Sequence, residues 1–98
     1  MKQIQFKANI TGTGSYLPEK ILTNQDIEKL VNTSDEWIQS RTGICERRIA
    51  RLGEASAELS THAINNLMEN YMLKADEIDA IIVATITPDM MFPATAAL

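Results

Sequence analysis

Nine residues, Ile78-Asp79-Ala80-Ile81-Ile82-Val83-Ala84-Thr85-Ile86, constrain the fold more than any other stretch of this sequence. The run is almost continuously apolar and rich in β-branched residues. Such runs belong to strands covered by helices on both faces. A covering helix lies just upstream, over about Ala55 to Met72. Its apolar stripe is Leu59, Ala63, Ile64, Leu67, Met68, Tyr71 and Met72. Nearer the start, Ile4, Phe6, Ala8 and Ile10 alternate with Gln5, Lys7 and Asn9, the period-2 pattern of a half-buried strand. Thr23, with Asp26 three residues on, is an N-cap for a helix burying Ile27, Leu30 and Val31. Ile44 to Ile49 reads as a short strand. Strand, helices, strand, helix, strand predicts an α/β sheet rather than a bundle or a sandwich. No linker, repeat or low-complexity segment divides the 98 residues, so one small domain is expected.

Within that frame the segment Thr33-Ser34-Asp35-Glu36-Trp37-Ile38-Gln39-Ser40-Arg41-Thr42-Gly43-Ile44 carries the clearest chemistry. Thr33 followed by Glu36 has the spacing of a capping box, which predicts a helix from Ser34. Gly43 is its expected C-terminal punctuation. Trp37 and Arg41 then stand one turn apart on one face. An indole and a planar guanidinium there can flank a flat object such as a purine base. The plain alternative is a Trp buried in the core.

Charge and composition narrow the function classes. The net charge is −4, yet residues 41–51 carry Arg41, Arg47, Arg48 and Arg51 against Glu46 alone. One basic patch on an acidic chain suits a compact anion such as a nucleotide phosphate, not general nucleic-acid binding. For Arg48 and Arg51 a solvated strand edge explains the charges equally well. No run approaches the roughly 20 apolar residues of a membrane span. The N-terminus has no apolar signal region, so a cytoplasmic location is expected. A single cysteine excludes a disulfide framework and a multi-cysteine zinc site.

Other candidates reduce to structural roles. Gly12-Thr13-Gly14 follows the first expected strand, but Leu17 stands where a dinucleotide fingerprint needs its third glycine. A tight turn is the expected use of these glycines. Cys45 has neither a base nor a helix N-terminus nearby to activate it. His62, mid-helix without a carboxylate or cysteine at metal-ligand spacing, reads as a surface or interface side chain. Asp76, Glu77 and Asp79 lack the spacing of a calcium loop and read as solvated charges. Met90-Met91-Phe92 is an apolar cluster in a loop beyond a strand's C-terminal end, where α/β sheets collect ligands.

Several separated motifs, in order, carry a family likeness. They are Gly12-Thr-Gly-Ser-Tyr-Leu-Pro18, Thr23-Asn24, Thr33-Ser-Asp-Glu-Trp37, Arg41-Thr-Gly-Ile44, Glu46-Arg47, Ala84-Thr85 and Phe92-Pro93. From about Ile10 onward the sequence closely resembles the N-terminal part of 3-oxoacyl-acyl-carrier-protein synthase III, a condensing enzyme of the thiolase superfamily. The resemblance implies a thiolase-like α/β fold, of which residues 1–98 would be an incomplete first αβαβα half, the remainder of the fold being absent. Ala94 to Leu98, reading as the first turn of an apolar helix, agrees with an N-terminal fragment. The implied activity is acyl transfer that joins acetyl or another short acyl group from coenzyme A to malonyl-acyl-carrier protein. It would proceed through a cysteine thioester and open type II fatty acid synthesis. Trp37 and Arg41 would sandwich the adenine of coenzyme A, with Thr33 close to the base and also serving as N-cap. Phe92 would line the neighbouring subunit's acyl pocket at a homodimer contact. The implied partners are acyl-coenzyme A, as substrate rather than cofactor, and acyl carrier protein. No nucleic acid, membrane or metal is implied.

The catalytic Cys, His and Asn of the family match no position here, Cys45 and His62 included, so the chain alone is expected to be inactive. Two alternatives stay open. One is a stand-alone, non-catalytic module that binds coenzyme A or a partner subunit. The other is a thiolase-superfamily synthase with a different starter acyl group.

Overall fold

Side-chain caps and short-range hydrogen bonds define the elements of this computed structural model, which describes residues 3 and 5–98. Strand β1, Lys20–Thr23, runs directly into helix α1, Asn24–Glu28. The Thr23 hydroxyl accepts from the Asp26 N–H while the Asp26 carboxylate accepts from the Thr23 N–H, a reciprocal capping box. Helix α2, Asp35–Thr42, ends at Gly43 with φ 71°, the left-handed conformation glycine adopts without strain. Strand β2, Glu46–Ile49, pairs antiparallel with β1, setting Lys20 opposite Ile49 and Thr23 opposite Glu46. Helix α3, Ser56–Tyr71, falls within one residue of its expected bounds. Short 3-10 turns follow at Ala75–Glu77 and Thr95–Ala97.

The α/β character is as expected; the strands are not all where the sequence puts them. Ile4 of the first expected strand lies outside the described residues. Residues 5–10 form no strand, and Phe6 is 91% exposed. The apolar run 78–86 joins no ladder, and Ile82 is 94% exposed. A strand exists only through its hydrogen-bonded neighbour. Among the described residues β1 and β2 take each other, and neither apolar segment has a partner. The sequence pattern had not marked Lys20–Thr23 as a strand. Leu30 and Val31, expected to be buried, are exposed, because α1 stops at Glu28 before either can turn inward.

Apolar burial is correspondingly thin. Ile38 is the one buried hydrophobic residue among those described. The radius of gyration is 18.5 Å, against about 13 Å for a compact domain of this length. Helix α3 exposes much of its stripe but packs on two segments far away in sequence. Gly14 presses so close to it that a Cβ would lie 2.5 Å from the Ala63 carbonyl oxygen and 2.6 Å from Leu67 Cβ. The glycine is there for close approach, not for the expected turn. At the other end Ala55, the N-cap residue of α3, has no side chain able to cap. Asp89 Oδ1 instead accepts the Ala57 N–H at 2.8 Å, and Ser56 Oγ donates to the Thr87 carbonyl at 2.6 Å. A loop 32 residues downstream thus supplies the cap.

Asp89→Ala should cost about 1 kcal/mol, the usual worth of a capping side chain. Amide hydrogen exchange in the first turn of α3 should accelerate while α2 keeps its rates.

Candidate functional site

Helix α2 takes its position from polar contacts on every side. Ser34, at φ −138° and ψ 152°, is its N-cap, and the Ser34 hydroxyl accepts the Trp37 N–H at 3.1 Å. The expected cap was Thr33 with Glu36. The helix starts one residue later because Asp35 is held as its first residue from three directions. Its N–H donates to the Glu28 carboxylate at the end of α1. Its own carboxylate accepts from the Gln39 amide at 2.8 Å and the Asn24 amide at 2.7 Å. Those hydrogen bonds, Gln39 first, lower the pKa of Asp35 below its ordinary value of 3.8.

The shift in register changes what Thr33 can do. Its hydroxyl no longer serves the cap, so the competition between capping and ligand contact disappears. Thr33, half-buried, lines an open hollow of about 340 Å³ with Asn32, Ser34 and Trp37. Trp37 is 56% exposed, and Ile38 beside it is the residue turned inward. Within these 98 residues Trp37 is thus a surface side chain. The Arg41 guanidinium carbon lies 5.9 Å from the Trp37 ring centroid. That is within cation–π reach. A flat ring between the two needs roughly twice the 3.5–4.0 Å contact distance, about 7–8 Å. The exposed Arg41 side chain can make that opening by a rotamer change.

The other arginines of the basic patch are committed elsewhere. Arg47 donates to the Leu22 carbonyl at 3.3 Å and to Asn24 Oδ1 at 2.8 Å. Arg48 donates to the Pro18 carbonyl at 2.9 Å. Arg51 lies 3.5 Å from Glu54 and 3.8 Å from Glu58. Among the described residues, Arg41 is the patch member that stands over Trp37, outside the hollow's own lining. Phe92, the fourth candidate, is 87% exposed in the loop after the apolar run, apart from the hollow's lining.

One cluster escaped the sequence reading. Glu58 precedes His62 by one helical turn, and with Glu54 their donor atoms lie within 4.8 Å of one another. The view that His62 lacks a carboxylate at ligand spacing is thus corrected. The Glu58–His62 interval of four was the available signal; Glu54 joins them only because the chain turns into α3 there. Arg51 sits against both carboxylates. Tyr16 stacks on His62 at 4.5 Å between ring centroids and donates its hydroxyl to Glu54 at 3.3 Å. The Arg51 N–H, donating at 3.0 Å, is the largest influence lowering the Glu54 pKa. The cluster is an ion-pair network that clamps the Tyr16 segment to α3. Cys45 is exposed and unpaired, and Asp76, Glu77 and Asp79 are exposed as expected. Among the described residues no helix is long and apolar enough to cross a membrane.

Because the folded-state pKa of Asp35 is depressed, its contribution to stability is complete above the ordinary value of 3.8 and is lost as pH falls through the lower folded value. Trp37 emission should stay flat on acidification to about pH 4 and change only below it. In Asp35→Asn the part of that acid transition due to Asp35 should vanish.

No protein-family model matches the chain. Over 89 residues, 91% of its length, it is 62% identical to the beta-ketoacyl-(acyl-carrier-protein) synthase III of Caldanaerobacter subterraneus subsp. tengcongensis, of which it covers 27%. The solved beta-ketoacyl-(acyl-carrier-protein) synthase III of Thermus thermophilus aligns with 92% of the chain at a TM-score of 0.85 and 46% identity. That alignment covers 28% of the solved chain. A priming beta-ketosynthase from a polyketide biosynthetic pathway aligns with 88% of the chain and 26% of its own, at a TM-score of 0.80 and 31% identity. The chain thus spans little more than a quarter of the length of the relatives it matches, and its mixed α/β arrangement is part of their thiolase-like fold.

Proposed function

We propose that this chain, homologous to beta-ketoacyl-(acyl-carrier-protein) synthase III along the quarter of that family's length it spans, forms the adenine end of a coenzyme A site in a condensing enzyme. The whole enzyme would be an acyltransferase that joins a short acyl group, acetyl foremost, from coenzyme A to malonyl-acyl-carrier protein in the cytoplasm. The observation that carries the reading is the exposed Trp37 with Arg41 at 5.9 Å beside an open hollow lined by Thr33. An aromatic face and a planar cation stack on a purine from opposite sides. The Thr33 hydroxyl, lining the hollow, would bond the base edge. Phe92, exposed in its loop, is proposed as an acyl-pocket residue at a homodimer contact. The chemistry of condensation falls to residues outside this chain, since Cys45 and His62 lie in unrelated elements without mutual contact.

A different starter group is the second reading. The likeness to a priming beta-ketosynthase of a polyketide pathway favours it, and the adenine clamp would serve either substrate equally. It bears on the acyl pocket, not on α2.

Coenzyme A titration tests the clamp. Base stacking on an aromatic ring contributes about 1–3 kcal/mol. The 98-residue chain should bind coenzyme A weakly, and Trp37→Ala should weaken that binding by about fivefold or more. Equal affinity of the two chains would remove the clamp. Sequencing past the codon for Leu98 tests the enzyme. A frame continuing into a Cys-bearing loop, with His and Asn much later, is expected. An immediate stop codon would leave a binding module without condensation chemistry.

A further inference from the structure

Little apolar burial holds α2 in place, since Ile38 is its one buried residue. What fastens the helix is polar, and it converges on Asn24, which is wholly buried. The Asn24 Nδ2 group donates to Asp35 Oδ1 at the start of α2 and to the Ile44 carbonyl just past its end, each at 2.7 Å. One amide group thus brackets the helix. On its other side Asn24 Oδ1 accepts from Arg47 Nη2 of β2 at 2.8 Å, and the Asn24 backbone N–H donates to the Cys45 carbonyl at 3.1 Å. A carboxylate and a carbonyl only accept, and a guanidinium only donates, so the partners themselves decide which way the amide points. Aspartate would set a second carboxylate against Asp35. Leucine, of similar size, would remove all three hydrogen bonds. Asparagine alone makes all of them.

None of these bonds touches the hollow. They determine where the helix that bears Trp37 and Arg41 stands relative to β2. We infer that Asn24 is a positioning residue for the Trp37–Arg41 clamp, acting on coenzyme A binding solely through the placement of α2. The inference rests on the coenzyme A reading of the site. It goes further by assigning part of the site's affinity to a buried amide that no ligand reaches.

The test combines amide exchange with a double-mutant cycle on the 98-residue chain. In Asn24→Ala, amides of α2 should exchange about tenfold faster or more while those of α3 keep their rates. Saturation-transfer NMR, which reads weak binding, should show coenzyme A affinity lowered about tenfold by Asn24→Ala when Trp37 is present. With Trp37 already replaced by alanine, Asn24→Ala should cost much less, only the share carried by Arg41. A residue that merely supports the fold would lower affinity by the same factor in both backgrounds. That result, or unchanged exchange in α2, overturns the inference. If Trp37→Ala alone leaves binding unchanged, the coenzyme A reading fails on its own account, and the exchange rates still decide whether Asn24 places the helix. Should Asn24→Ala not fold, Arg47→Met and Asp35→Ala each remove one of the bonds. They should reproduce both effects at about threefold.

Discussion

The buried amide of Asn24 is the interaction on which the unit of β1, α1, α2 and β2 depends. It is the first residue of α1, yet its side chain reaches both ends of α2 and the arginine of β2. A polar group withdrawn from water costs several kcal/mol unless its hydrogen bonds are replaced. Here they are replaced by a charged acceptor and a charged donor, the stronger kinds of partner, and by a backbone carbonyl. Strand β1, helix α1, helix α2 and strand β2 consequently form one unit around a polar centre, with Ile38 supplying its one buried apolar residue. The direction of α2 follows from this unit, and the exposure of Trp37 follows from the direction of α2.

The remainder of the chain is organised differently. Helix α3 is tied at its start by Asp89 and Ser56, along its length by Gly14, and by Tyr16 stacking on His62. Each of these contacts joins segments more than thirty residues apart. None of them covers the apolar run 78–86, which stays exposed without a ladder. Such a run is the pattern of a central strand. Among the described residues nothing pairs with it, and the chain spans little more than a quarter of the length of the relatives it matches.

Much of the local structure was legible in the sequence. The Thr23–Asp26 box, the glycine ending α2, the repeating stripe of α3 and the Trp37–Arg41 pairing all depend on spacings of four or fewer positions. Backbone geometry relates such residues before any tertiary contact forms. The family likeness was legible too, since it lies in the order of motifs.

What tertiary structure alone decided is the use made of each side chain. Ser34 rather than Thr33 caps α2, because Glu28 and Asn24 fasten Asp35 from outside the helix. Gly14 serves close packing on Ala63 rather than a turn. Arg47, Arg48 and Arg51 are spent on carbonyl, amide and carboxylate oxygens, which leaves Arg41 to Trp37. Alternating or continuous apolar pattern could not say which segments would be strands, since a ladder belongs to two segments and the pattern describes one. The amino-acid order determined the helices, the glycine that ends α2 and the pair of residues proposed as the clamp, because those are near-neighbour properties. Only the folded chain determined that the pair faces solvent beside an open hollow, because hydrogen bonds from distant residues set the direction of the helix that carries it.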